Sequence, residues 1–171
     1  MPSNNRVDTL AKDIQGIIFD VDGVLTDGRI IYSDDGHELK AFHVQDGSSI
    51  KLLAEHGVTI GIITGRRSPM VAKRARELGI QFIAQGVSSK SEALDRFIVE
   101  GFPETHIAVV GDDLQDIELF QHPSVALIIT VANGHPAVLQ RAHLVTQRKG
   151  GDGVAAEIAQ TILTAQRRWP F

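Results

Sequence analysis

Short apolar runs along this chain alternate with longer segments whose apolar residues recur at helical spacing. Residues 16–21, 59–63, 81–84, 107–110 and 125–130, rich in Ile, Val, Phe and Ala, read as buried strands. Between them, residues 69–78, 91–100 and 114–120 carry helical periodicity, with Pro69 suited to a first turn and Gly79 to a stop. Residues 47–56 and 153–168 read as two further helices. This alternation predicts an α/β three-layer sandwich, a mainly parallel central sheet with helices on both faces.

One stretch breaks the rhythm. Residues 29–33 and 38–43 look like two strands joined by Asp34-Asp35-Gly36, a strong hairpin signal. A hairpin here either covers a site, pairs with another subunit, or is a plain insertion; a working role is the reading adopted. Residues 1–13 are polar and mixed in charge and read as a flexible N-terminus. Gly150-Gly151-Asp152-Gly153 reads as a hinge ahead of a C-terminal helix and tail, residues 150–171, that ends in Trp169-Pro170-Phe171.

The length of 171 residues fits one domain, residues 1–171, with enough material for a sizeable core. A formal net charge of −4 leaves no basic stripe for nucleic acid. The absence of cysteine excludes disulfide frameworks and thiolate metal sites, and allows a reducing compartment. The seven histidines are scattered, with no His-x-x-x-His pair. No secretory signal pattern and no membrane-length apolar run is evident, so a cytoplasmic protein is expected.

Against this ordinary background the run Ile17-Ile18-Phe19-Asp20-Val21-Asp22-Gly23 stands out, because an apolar strand delivers two carboxylates into a glycine turn. Alternate strand residues share a face, so Asp20 and Asp22 project together from the carboxyl end. In open α/β sheets that edge binds ligands, and paired carboxylates there suit a hard Mg²⁺ ion. A turn after a buried strand would also favour Asp and Gly for conformational reasons alone.

Matching parts occur at other strand ends. Thr64-Gly65-Arg66 places a hydroxyl, a permissive glycine and a guanidinium beyond the second core strand, a turn able to bind phosphate. Lys90 stands at a predicted helix start, where an ammonium can reach a phosphoryl group, although a surface lysine is the usual case. Gly111-Asp112-Asp113-Leu114-Gln115-Asp116 is a second acidic cluster at a strand end. One of its aspartates fits a helix N-cap; that role does not account for all three.

Taken in order, these segments resemble the four motifs of the haloacid dehalogenase superfamily of phosphotransferases, over nearly the whole chain. The resemblance implies a Rossmann-like fold in which Asp20 is the phosphoryl-accepting nucleophile and Asp22 the general acid and base. It assigns Thr64 and Lys90 to the transferring phosphoryl group. Mg²⁺ would be held by Asp20, Asp112 and the backbone carbonyl of Asp22, with Asp113 and Asp116 in support. An Asp at position 22 is what the superfamily's phosphatases carry.

Finer similarity extends from Asp20 to Gly28, through the hairpin and Lys40-Ala41-Phe42-His43-Val44-Gln45-Asp46-Gly47, to Ile63-Thr64-Gly65-Arg66 and the Gly150–Gly153 segment. It resembles the family of 3-deoxy-D-manno-octulosonate 8-phosphate phosphatases, which act in lipopolysaccharide precursor synthesis and lack a cap domain. That resemblance implies a homotetramer, built through the hairpin and tail. It also implies a sugar-acid pocket lined by His43, Val44, Gln45, Asp46, Gly47 and Gly65, with Arg66, Arg74 and Lys90 supplying positive charge. For His43 a strand-end packing role is the alternative. Lys51 and Ala156 stand where that family usually has Arg, which keeps a phosphatase of nine-carbon keto-deoxy sugar acids as the runner-up. A phospho-accepting signalling domain uses similar residues but places its phosphorylated Asp on a middle strand, after an acidic pair on the first.

Overall fold

The computed structural model describes residues 5–171. The chain opens with helix α1 (Asn5–Ala11), strand β1 (Gly16–Phe19) and a hairpin of β2 (Ile31–Tyr32) and β3 (Glu38–Leu39). It continues through α2 (Val44–Glu55), β4 (Thr59–Thr64), α3 (Pro69–Leu78), β5 (Phe82–Gln85), α4 (Lys90–Val99) and β6 (Ile107–Val110). A 3-10 turn at Leu114–Asp116 leads into α5 (Ile117–Phe120), followed by β7 (Val125–Thr130), α6 (Pro136–Leu139), β8 (Leu144–Val145) and α7 (Val154–Ala165).

Six strands form one parallel sheet in the order β5-β4-β1-β6-β7-β8. From β1 the chain winds outward first to β4 and β5, then back across to β6, β7 and β8. The strand order therefore reverses at β1, and in such sheets the crevice at the carboxyl ends of the strands beside that switch is where ligands bind. All four residues of β1 are buried, as expected of a central strand covered on both faces.

Strand alternation sorts the apolar residues into two cores. Ile17, Phe19, Ile60, Ile62, Ala108 and Val110 pack with α1, α2, α3 and α7 on one face. Ile18, Ile63, Ile107 and Val109 pack with α4, α5 and α6 on the other. The second core contains Phe82, Phe97 and Phe102, with ring centroids 5.1 Å apart for Phe82–Phe102 and 5.5 Å for Phe82–Phe97. Edge-on pairs of this kind add about 0.5–1.5 kcal/mol each beyond their burial, so this cluster holds α4 firmly under the sheet. Among the described residues no inserted cap domain interrupts the sandwich.

Several elements differ from the sequence expectation. Residues 1–13 were expected as a flexible tail, but residues 5–11 form α1, whose Val7 and Ala11 are buried against α7 and the sheet; residues 1–4 lie outside the described residues. Two apolar residues suffice because α7 supplies the rest of the contact. Helix α2 starts at Val44, not residue 47, because the His43 ring nitrogen accepts the Gln45 N–H at 3.1 Å and caps it. The hairpin strands are only two residues each. Strand β8 and helix α6 escaped prediction, being too short to show a period.

Candidate active site

Strand ends and helix starts bring the site residues together. Asp20 follows β1, and its N–H continues the ladder to Val110 O at 3.0 Å. Thr64 closes β4 and is buried. Asp112 lies two residues past β6, and Lys90 opens α4, which Ser89 caps by accepting the Glu92 N–H at 3.1 Å. Gly23 has φ of 90°, and a Cβ there would fall 2.0 Å from Asp112 Oδ2. Only glycine lets the turn after Asp22 lie against that carboxylate.

A cavity of about 210 Å³ is lined by Asp20, Asp22, Gly28, Thr64, Gly65, Arg66, Asp112, Asp113, Gln115 and Asp116. A second hollow of about 250 Å³ opens among Gly57, Thr59, Leu78 and Gln81 and has no titratable side chain in its lining. The first alone of the hollows found gathers a cluster of facing carboxylates, and it is the candidate for chemistry.

Its charges are concentrated. Lys90 Nζ lies 2.5 Å from Asp116 Oδ1 and 3.1 Å from Asp20 Oδ2. Burial works against the lysine's charge, but the Asp20 and Asp116 carboxylates outweigh it and raise its pKa. Asp116 is fully committed: its Oδ2 accepts the N–H groups of Asp112 at 2.9 Å and Asp113 at 3.1 Å. Asp113 is the N-cap of the 3-10 turn and accepts the Leu114 N–H at 2.7 Å, so it serves the backbone.

Asp20 and Asp112 are different. Burial, and then repulsion from Asp116, push Asp20 up to about 6, even though Lys90 and the Val21 N–H oppose the shift. Burial also pushes Asp112 up to about 7, with the charges of Asp20, Asp116 and Asp113 adding to it. Asp112 Oδ1 is buried without a hydrogen-bond partner among the described residues. Asp20, Asp112 and Asp116 each offer a carboxylate oxygen within 4.8 Å of the others. Crowded anionic oxygens, one of them orphaned, fit a hard divalent cation such as Mg²⁺. With Asp116 engaged through both oxygens, Asp112 offers its orphaned Oδ1, and Asp20 can share with the ion the oxygen that Lys90 approaches at 3.1 Å, its other oxygen accepting the Val21 N–H at 2.7 Å.

The remaining expected residues divide. Asp22, Gly65 and Arg66 line the acidic cavity, and Asp22 is held by a residue the sequence reading passed over. Lys40 Nζ donates to Asp22 Oδ1 at 2.5 Å and lies 2.9 Å from Glu38 Oε1, while Arg66 donates to Glu38 Oε2 at 2.6 Å. Burial opposes the charge on Lys40, and the two carboxylates more than offset it, so its pKa is raised. Gln115 and Gly28 also line the cavity without having been singled out. Alternation of Glu38 and Lys40 on one hairpin face was the available signal.

His43, Asp46, Gly47 and Arg74 are not among the residues lining the acidic cavity; they border a separate small hollow with Leu25 and Phe42. There His43 caps α2, Asp46 Oδ1 accepts the Ala155 N–H at 2.7 Å, and Arg74 pairs with Glu77 at 3.3 Å. Gln45 accepts a hydrogen bond from Arg148, and Val44 is largely exposed. Within one chain, then, residues 43–47 and Arg74 are not brought to the cavity that holds Asp20.

A model of the haloacid dehalogenase-like hydrolases matches residues 80–158. A 3-deoxy-D-manno-octulosonate 8-phosphate phosphatase of Yersinia pestis is 42% identical over 158 residues, covering 91% of this chain and 83% of its own. The same-named phosphatase of Moraxella catarrhalis, solved with a magnesium ion, a phosphate ion and a KDO molecule, superposes with a TM-score of 0.91 at 39% identity. That match covers 98% of this chain and 95% of the other. The cobalt-bound deoxy-D-mannose-octulosonate 8-phosphate phosphatase of Haemophilus influenzae gives 0.85 at 33% identity, covering 92% of each chain.

Proposed function

Because this chain belongs to the haloacid dehalogenase-like hydrolases, we propose that it is a Mg²⁺-dependent phosphomonoesterase that converts 3-deoxy-D-manno-octulosonate 8-phosphate to the free sugar acid and phosphate. This places it in lipopolysaccharide precursor synthesis, and the cysteine-free sequence suits action in the cytoplasm. The observation that carries the reading is the acidic cavity at the β1 switch, with its orphaned Asp112 oxygen, in a chain so similar to phosphatases of that substrate.

Asp20 attacks phosphorus, and the bond from phosphorus to the sugar's O8 breaks with its electron pair passing to that oxygen. Asp22 gives its proton to the departing alkoxide. A water then attacks the aspartyl-phosphate while Asp22 takes its proton, releasing phosphate and restoring Asp20. Lys90 and Thr64 hold the transferring group, and Lys90 also keeps Asp20 ionised beside the substrate. Bound Mg²⁺ supplies positive charge that lets an anionic nucleophile approach a phosphate. Its protein ligands are Asp20, Asp112 and the Asp22 carbonyl. Arg66, a half-exposed cation at the cavity rim, receives the substrate's own negative charge.

We further infer a homotetramer. The hairpin exposes Ile30, Ile31, Tyr32 and Leu39, each 46–65% accessible in the isolated chain, and apolar surface of that kind marks an interaction site. Assembly would give His43, Val44, Gln45 and Arg74, the members of that group that reach the surface, a route into a neighbour's cavity. Light scattering on the purified protein tests this; a monomer at micromolar concentration contradicts it.

The substrate assignment is tested by phosphate release over a panel of keto-deoxy sugar-acid phosphates with Mg²⁺. Preference for the eight-carbon 8-phosphate is the expected result. Preference for a nine-carbon acid, or a flat profile over unrelated phosphate esters, overturns the substrate while leaving the reaction class.

A further inference from the structure

The nearest ionic partner of Asp22 comes from the hairpin, and a more distant one, Arg66, from the turn after β4. The side chain of Lys40 is almost wholly buried, 2% exposed, although the residue sits on a short surface hairpin. Its ammonium grips Asp22 Oδ1 at 2.5 Å and stands 2.9 Å from Glu38 Oε1. Glu38 in turn accepts from Arg66 through its other oxygen at 2.6 Å. The two hairpin residues are two apart on an extended segment and so face the same way. Among the described residues, Asp22 Oδ2 has only the 3.9 Å approach of Arg66 Nε.

A carboxyl group that delivers a proton must present one oxygen within hydrogen-bond reach of the leaving atom. Asp22 stands in the bend after β1, where the strand ladder no longer holds it. A charge-assisted bond to one oxygen fixes its side-chain torsion. We propose that Lys40 is the positioning residue of the reaction: it locks Asp22 Oδ1 and so reserves Oδ2 for the proton that passes to the departing sugar oxygen. Glu38 holds Lys40 from the other side and ties the same clasp to Arg66. The inference rests on the assignment of Asp22 as general acid under the proposed function. A hairpin fastener with no part in proton delivery is the competing role for Lys40, and kinetics separates the two.

The discriminating substrate is p-nitrophenyl phosphate, whose nitrophenolate departs without a proton. In Lys40→Met, kcat on the sugar-acid phosphate should fall roughly 10–100-fold, within the range that a positioned acid contributes, with KM changed less than about threefold. First-turnover release of nitrophenolate, followed by stopped flow, should change less than about threefold. If Lys40 acts through Asp22, adding Lys40→Met to Asp22→Asn should cost less than a further twofold or so. Equal losses on both substrates, or additive losses in the double variant, overturn the proposal. Should Lys40→Met fail to fold, Glu38→Gln keeps the lysine and should show the same selective loss at roughly 3–10-fold; no selectivity there overturns it equally. Asp22→Asn with undiminished sugar-phosphate turnover would instead fell the acid assignment beneath it.

Discussion

Asp46 and Asp112 are both withdrawn from water, each has one carboxylate oxygen without a hydrogen bond, and burial raises the pKa of both. Their neighbours differ in sign. Around Asp46 stand His43, Arg148 and Arg74, each drawing its pKa down, and its other oxygen caps the start of α7. Around Asp112 stand Asp20, Asp116 and Asp113, each driving its pKa up, and Lys90 alone among the named charges draws it down. The protein surrounds the first carboxylate with counter-charge and the second mainly with like charge, which leaves most of its neutralisation to come from outside. Burial alone does not mark the reactive region; burial among like charges does.

The comparison is broken most severely by replacing in turn the proposed nucleophile and the cap. Asp20→Asn should lower Mg²⁺-dependent phosphate release by at least about 10⁴-fold, as loss of a nucleophile does elsewhere, whereas Asp46→Asn should retain most of it. Comparable losses in a phosphate-release assay would erase the distinction between the two regions.

A smaller effect is expected of the proposed proton carrier. Asp22→Ala should cost about 10²–10⁴ in turnover while Mg²⁺ binding, followed by calorimetry, persists. Asp112→Asn should reverse that pattern, weakening Mg²⁺ by more than the roughly 10–100-fold seen when a residue merely supports a ligand. Loss of metal in the Asp22 variant and not in the Asp112 variant would invert the assignment.

The pH response sharpens the contrast further. Folded Asp112 keeps its proton up to about pH 7, whereas an unfolded chain loses it near the ordinary aspartate value of 3.8. Between those values the native state binds the extra proton, so rising pH favours unfolding. Metal-free protein should therefore melt at a lower temperature as pH rises from 4 to 7, and Asp112→Asn should flatten that slope. Mg²⁺ should restore the lost stability most at the upper end. A slope unchanged in the variant contradicts the like-charge origin of the shift.

Smallest of all is the cap. Gly153 at the start of α7 has no side chain to cap it, and Asp46 does so from α2. Asp46→Ala should cost about 0.5–2 kcal/mol of folding stability by denaturant titration, with Mg²⁺ affinity intact.

What the sequence disclosed follows the same division. Asp20, Thr64 and Asp112 stand at the ends of apolar runs, so periodicity located both the strand and the residue leaving it. Asp113 as an N-cap was also foreseeable, since one of three clustered aspartates was expected to serve the backbone. Lys40 was not legible as an Asp22 partner, because the contact spans a hairpin turn and 18 positions that no local period encodes. Helix α1 hides for a related reason: its few buried residues gain meaning only against α7, at the far end of the chain. Residues 43–47 were read as pocket residues by likeness to a family, and in one chain they cap and brace helices.

The most direct test is to quench wild-type protein during turnover of 3-deoxy-D-manno-octulosonate 8-phosphate with Mg²⁺ and map phosphorylated residues by mass spectrometry. Phosphate on Asp20, absent when Mg²⁺ is withheld, is the predicted result. Phosphate on another residue, or rapid turnover with no phosphorylated aspartate trapped at any time point, would contradict it.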